Sequence, residues 1–211
     1  MKYNITKLAT VAGIAALLGS SVATASDQGV YTKLDAGVSF VSGMDLSVPA
    51  LPGAGSGPVR FKAGFATNGI VGFNLNENFA LELEGGYATN NVRSVDGDRV
   101  DSLDISMWSG FGNVVLKTNL GEAASIFVAG GPGFVHGSTD GLSTATGGLF
   151  WDGSDTIFAG QAKAGLSLKV AEQISVDLTY RARFVGSFDV GPLRASSSVN
   201  HQITAGISIG F

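Results

Sequence analysis

The chain has 211 residues, 13 Lys and Arg against 17 Asp and Glu for a net charge of −4, and no cysteine. That length suits one domain, and the acidic balance argues against a nucleic-acid partner. The missing cysteine excludes a disulfide scaffold, a cysteine-based zinc site and an acylated lipoprotein terminus.

Lys2 and Lys7 are followed by the apolar, Ala-rich run from Leu8 to Leu18, and Ala23–Thr24–Ala25 precedes Ser26. This predicts a cleaved signal peptide over residues 1–25 and a mature domain over 26–211. The apolar run is about half of the ~20 residues a spanning helix needs. Without Lys2 and Lys7, 11 basic residues face 17 acidic ones, a mature charge of −6. No other apolar run is long enough for a membrane helix, so a chain that spans a bilayer here must do so as a closed barrel.

Alternation with a period of two marks strands, because successive side chains point to opposite faces. Segment 30–41 sets Thr32, Leu34, Ala36, Val38 and Phe40 against Tyr31, Lys33, Asp35, Gly37 and Ser39. A Gly/Ser/Pro-rich loop follows over 42–58. Segment 59–75 puts Phe61, Phe65, Val71, Phe73 and Leu75 on one parity, with Arg60, Lys62, Asn68 and Asn74 on the other. Asn76–Glu77–Asn78 turns the chain into segment 79–89, with Phe79, Leu81, Leu83 and Tyr87 outward and Glu82, Glu84, Gly86 and Ala88 inward. Residues 90–102 read as a charged loop. Segment 103–118 has mixed parity: Ile105, Met107 and Phe111 favour one face, while Trp108, Val114 and Leu116 favour the other. A β-bulge near Gly110–Gly112 is expected to reconcile them. Segment 125–136 carries Ile126, Val128 and Phe134 on one face, with Pro132 as its weak point. Beyond the loop 137–154, segment 155–169 sets Phe158, Ala162, Ala164, Leu166 and Leu168 against Gln161, Lys163, Ser167 and Lys169. Segment 174–185 is the cleanest, with Ile174, Val176, Leu178, Tyr180 and Phe184 opposite Ser175, Asp177, Thr179, Arg181 and Arg183. After the loop 186–198, the last strand alternates Ile203, Ala205, Ile207, Ile209 and Phe211 with Thr204, Gly206, Ser208 and Gly210.

The fold class expected is all-β: an eight-stranded antiparallel transmembrane β-barrel. Its connections alternate long and short, as short periplasmic turns and long extracellular loops require. Phe73, Phe79 and Phe211 near the short turns, and Phe40, Phe61, Phe158 and Phe184 near the long loops, would form two interfacial girdles. A soluble lipocalin-type barrel would carry the same alternation inverted, with the apolar parity inside.

At this point the chain resembles the OmpA-like/OmpX-like superfamily of small outer membrane β-barrels, including the small porin-family surface proteins. The resemblance covers roughly 30–211. It rests on the run from Asn74 to Glu82, the run from Ile174 to Arg181 and the terminal strand. It implies a location in the cell outer membrane, reached through the general secretory pathway, and contact with outer membrane lipid and lipopolysaccharide. It also implies folding by the barrel assembly machinery through the C-terminal strand, with Phe211 as the terminal assembly signal. No OmpA-type peptidoglycan-binding segment is expected after the barrel.

The inward parity carries Lys33, Asp35, Arg60, Lys62, Glu82, Glu84, Lys163, Asp177, Arg181 and Arg183. Eight strands enclose a space that side chains can fill, and an isolated buried charge is costly. A pairing network that plugs the barrel is expected over a narrow ion path. Glu82 and Glu84 are a carboxylate pair of the kind used in acid–base catalysis, but Arg60 and Lys62 on the neighbouring segment are their expected partners.

Enzyme chemistry is not expected, nor is a cofactor or metal. His136 and His201 are the only histidines, both placed near the outer headgroup level. The His-x-Ser strand pattern of lipid A deacylases is not met by His201–Gln202–Ile203. Gly130–Gly131–Pro132–Gly133 lacks phosphate-loop spacing. Asp96, Asp98 and Asp101 are not at EF-hand spacing and read as a solvated loop rather than a divalent-cation site shared with lipopolysaccharide phosphates. The leading functional reading is an envelope-integrity and surface-interaction protein whose four outer loops meet an extracellular ligand or host surface. The alternative is a small, low-conductance pore.

Overall fold

The computed structural model describes residues 29–42, 45–47, 57–95, 98–99, 104–140, 153–190 and 193–211. The expected signal peptide, residues 1–25, lies outside them, as do Asp96 and Asp101. Eight long strands follow one another: β1 Val30–Ser42, β2 Gly64–Asn74, β3 Phe79–Val95, β4 Asp104–Asn119, β5 Ala124–Asp140, β6 Gly153–Lys169, β7 Ile174–Val185 and β8 Ser198–Gly210. Each pairs antiparallel with its neighbour in sequence. β1 pairs with β8 from Tyr31↔Gly210 to Ser42↔Val199 and closes the cylinder. Closure removes every free sheet edge from the wall.

Burial shows which parity faces out. Leu34, Phe65, Leu83, Val128, Phe158, Leu178, Ile203 and Ile207 are exposed, Leu83 and Phe158 by 73% and 77%. Lys33, Asp35, Glu84, Lys163, Arg181 and Gln202 are buried, Arg181 completely. This is an inside-out barrel, greasy outside and polar within, which excludes the soluble alternative. The three short connections, 75–78, 120–123 and 170–173, lie at one end. In the first, Asn76 Oδ1 accepts from the backbone N–H groups of Asn78 and Phe79, each at 2.9 Å, an Asx turn. In the second, Gly121 takes φ +128°, a conformation that other residues adopt only under strain.

Three sequence-based expectations need correction. Segment 59–75 is not one strand: a short strand Gly57–Phe61 is separated from β2 by Lys62 and Ala63. It pairs instead with the far end of β3, with a register shift between Arg60 and Phe61. β4 contains no bulge, because its register with β3 runs unbroken from Phe79↔Leu116 to Asn91↔Asp104. Its parity is uniform, and Met107 and Phe111 lie on the inward side. They pack with Val135, Ile157, Ala159 and Val185 into an apolar cluster inside the loop half of the barrel. The mixed signal arose because β4 to β7 bring apolar side chains to the inside of the loop half, where β1, β3 and β8 bring the buried polar Ser39, Asn90 and Asn200. The loops, finally, are not wholly irregular. Strands 188–190, 193–195, 45–47 and 57–61 are hydrogen-bonded in that order and join the end of β3. Strands β3, β5 and β6 are 17 residues each, longer than the ~9–11 needed to cross a bilayer, and carry the wall beyond it.

Candidate functional site

The interior network is assembled from strands far apart in sequence. β3 contributes Glu82 and Glu84, β6 Gln161 and Lys163, and β7 Asp177, Thr179, Arg181 and Arg183. On β1, Lys33 and Asp35 sit two residues apart on the inward parity. Glu84 is the hub. Its Oε2 lies 2.8 Å from Lys163 Nζ, and its Oε1 lies 3.0 Å from Arg181 Nε and 2.9 Å from Arg183 Nη2. Gln161 Nε2 also donates to Glu84, at 3.1 Å. Lys163 bonds Glu82 as well, and Tyr31 donates its hydroxyl to Glu82 Oε1 at 2.7 Å.

Arg181 grips Asp35 with both terminal nitrogens, at 2.7 and 3.4 Å, the bidentate geometry that guanidinium favours. Arg183 donates to Asn68 at 2.7 Å and Gln161 at 2.8 Å, and stands 5.2 Å from the Phe111 ring centroid. Nearer the short-turn end, Lys33 sits 3.3 Å from Asp177 and 4.7 Å over the Phe127 ring. Asp177 Oδ2 and Arg181 Nε make ion pairs without hydrogen-bond alignment. Space for the hub comes from glycine: a Cβ on Gly86 would stand 2.5 Å from Asn68 Oδ1 and 2.8 Å from Arg183 Nη2.

Among the described residues the buried charges are Lys33, Lys163, Arg181 and Arg183 against Asp35, Glu82, Glu84 and Asp177. The interior is therefore charge-balanced, as low-dielectric surroundings demand. Arg60 and Lys62 are a correction. Both are exposed, above the break before β2, and the partners of Glu82 and Glu84 are Lys163, Arg181 and Arg183. Sequence reasoning missed the amides. Asn90 donates to the Ser39 carbonyl at 3.0 Å, Asn200 to Ser39 Oγ at 2.8 Å, and Gln202 to Asn200 at 2.9 Å. Their inward parity was the available signal.

Both histidines lie on the outward parity in the loop half. His201 has a hydroxyl at each ring nitrogen, Tyr180 Oη at 2.7 Å from Nδ1 and Ser42 Oγ at 3.1 Å from Nε2. His136 Nδ1 is 2.8 Å from Thr156 Oγ1. Neither has a carboxylate partner among the described residues, and no cluster there has the makings of a metal site. Phe211 is exposed at the short-turn end, its N–H bonded to the Val30 carbonyl at 2.9 Å.

A sequence model for a family described as "outer membrane protein beta-barrel domain" matches residues 10–211. No curated protein matches in sequence. Among solved structures the chain is similar to Neisserial surface protein A (NspA), with TM-score 0.60 and 16% identity over 87% of this chain and 97% of that one. It is also similar to the outer membrane protein OprG from Pseudomonas aeruginosa, at 0.56 and 10%, covering 86% and 97%. The outer membrane protease OmpT from Escherichia coli matches at 0.52 and 7%, covering 90% and 99%. At these identities the likeness is one of fold.

Proposed function

The chain belongs to the family of outer membrane protein β-barrel domains, and from that premise we propose that it is a closed scaffold whose function resides in the loop-end surface. Its place is the outer membrane. The observation that carries the proposal is the filled interior. Four buried bases and four buried acids pair across the lumen, and an apolar cluster occupies the loop half. A solute entering from either side must break paired buried charges, which costs several kcal/mol per ion.

Above the filled lumen the loop strands 45–47, 57–61, 188–190 and 193–195 pair into a sheet joined to the end of β3. Loops on a rigid scaffold are where binding residues concentrate. The role is envelope integrity and adhesion or host contact through that surface. Residues 1–25 serve as the export leader for the domain 26–211. Strand β8 with Phe211 is the segment that the barrel assembly machinery takes up, and the outward girdles meet lipid and lipopolysaccharide.

The second reading is a low-conductance pore, favoured by a cavity of about 460 Å³ that enters the barrel at the short-turn end. Single-channel current from refolded residues 26–211 in a planar bilayer separates the two. A silent membrane with inserted protein is expected. Reproducible openings that change with Arg181→Gln overturn the closed scaffold.

A further inference from the structure

The seam that closes the barrel brings three side chains together on its lipid-facing side. β1 and β8 are neighbours only because the cylinder closes, and their register sets Phe40 opposite His201 and Ser42 opposite Val199. Ser42 and His201 are therefore diagonal neighbours, although 159 positions separate them in the chain. From the other flank of β8, β7 sets Tyr180 diagonal to His201 as well. Ser42 Oγ lies 3.1 Å from His201 Nε2, and Tyr180 Oη lies 2.7 Å from His201 Nδ1. The phenol and imidazole planes are 22° apart, so the imidazole is held at both nitrogens and along its face. His136, by contrast, has a hydroxyl at one nitrogen and no second hydrogen bond among the described residues.

A hydroxyl, a base and a group that orients the base are the parts of an activated nucleophile. In the tautomer protonated at Nδ1, His201 donates to the Tyr180 oxygen and keeps its Nε2 lone pair for the Ser42 hydroxyl. The Val199 carbonyl, 3.4 Å from Ser42 Oγ, is the more distant acceptor. Ser42 is exposed, and beside it Phe40 and Phe184 expose their rings on the outward parity. Aromatic rings on that face mark the headgroup level of a bilayer. The acyl ester carbonyls of a membrane lipid lie at the same depth, between headgroup and hydrocarbon.

We propose that Ser42, His201 and Tyr180 form a site that hydrolyses long-chain acyl esters of outer-leaflet lipid. Ser42 Oγ attacks the ester carbonyl carbon as its proton passes to His201 Nε2. The bond from that carbon to the alcohol oxygen breaks, and the oxygen takes the proton from Nε2. A deacylated lipid leaves, and the acyl group stays on Ser42. Water then adds to the acyl carbon and gives a proton to Nε2, and the fatty acid departs as Ser42 Oγ recovers that proton. The sum is ester plus water to alcohol plus carboxylic acid. Tyr180 touches no reacting atom and is a positioning residue. A neutral phenol supports the imidazolium less than a buried carboxylate does, so turnover is slow. The site stands outside both the loop surface and the lumen, so neither of those readings bears on it.

The refolded barrel in micelles is treated with a long-chain alkyl fluorophosphonate, and the modified residue is located by mass spectrometry. The adduct is expected on Ser42, absent in Ser42→Ala, and formed at least about 100-fold more slowly in His201→Gln. Circular dichroism checks that each variant keeps the barrel, and His201→Asn stands in should His201→Gln fold poorly. Fatty-acid release is then measured from a diacyl glycerophospholipid and from lipopolysaccharide in mixed micelles. The one that loses an acyl chain only when Ser42 is present is the substrate. Tyr180→Phe should lower kcat for that lipid several-fold with KM unchanged. No adduct on Ser42, an adduct indifferent to His201, or release from neither lipid overturns the proposal.

Discussion

Replacing Glu84 by Gln keeps the shape of the hub and removes its charge. Three cations then surround a neutral amide: Lys163 at 2.8 Å, Arg181 at 3.0 Å and Arg183 at 2.9 Å. Only Asp35, Glu82 and Asp177 remain to balance four buried bases. Breaking a buried pair by removing one partner costs about 3–5 kcal/mol, a large part of the ~5–15 kcal/mol that separates a folded domain from its unfolded chain. At a urea slope of about 2 kcal/mol/M, the unfolding midpoint should fall by about 2 M. The assay is urea unfolding of the refolded barrel in micelles, followed by tryptophan fluorescence. Glu84→Gln with Arg183→Gln should cost less than the sum of the single changes, by about 1–3 kcal/mol, because the surplus cation leaves with its partner. A midpoint lowered by less than about 0.3 M would refute the reasoning. It would mean that water screens these charges, and the lumen would then have to be treated as hydrated.

Leu83→Arg should destabilise the barrel by about 2–4 kcal/mol if the outward face meets lipid near the midplane. A change within about 0.5 kcal/mol, the usual size for a water-facing surface, would contradict that orientation. Glycine substitution should sort by what lies beside it. Gly86→Ala drives a methyl group into Asn68 and Arg183 and should cost about 1–3 kcal/mol. Gly112→Ala, with nothing within 4 Å, should stay within about 0.5 kcal/mol. Equal effects in the same unfolding assay would undermine the packing assigned to Gly86.

Alternation along the chain was enough to identify eight strands, their order and the three tight turns. Side-chain parity is a local property with period two, and an up-and-down barrel pairs each strand with its neighbour in sequence. The same parity put Lys33, Asp35, Glu82, Glu84, Lys163, Asp177, Arg181 and Arg183 on the face opposite the apolar residues, and only a membrane reading of the whole chain, with its long and short connections, made that face the inward one. Parity did not show who meets whom. Hairpin neighbours are legible from the turns, so Arg60 and Lys62 were the natural partners for Glu82 and Glu84. The true partners reach Glu84 across the lumen from β6 and β7.

Lumen contacts depend on strand tilt and stagger, which closure of the whole cylinder sets and no single hairpin encodes. Met107 and Phe111 were illegible for a related reason. Apolar residues at inward positions look like a change of face until the surrounding wall shows that β5, β6 and β7 meet them with apolar side chains of their own. The loop strands lacked even a parity signal, because short backbone pairings such as Leu46↔Gly57 and Ala195↔Leu46 arise between segments far apart in the chain. Which faces are greasy and which polar was therefore decided residue by residue along the chain. Which charges neutralise one another, and which loops join, was decided only when the barrel closed and brought distant strands to the same height.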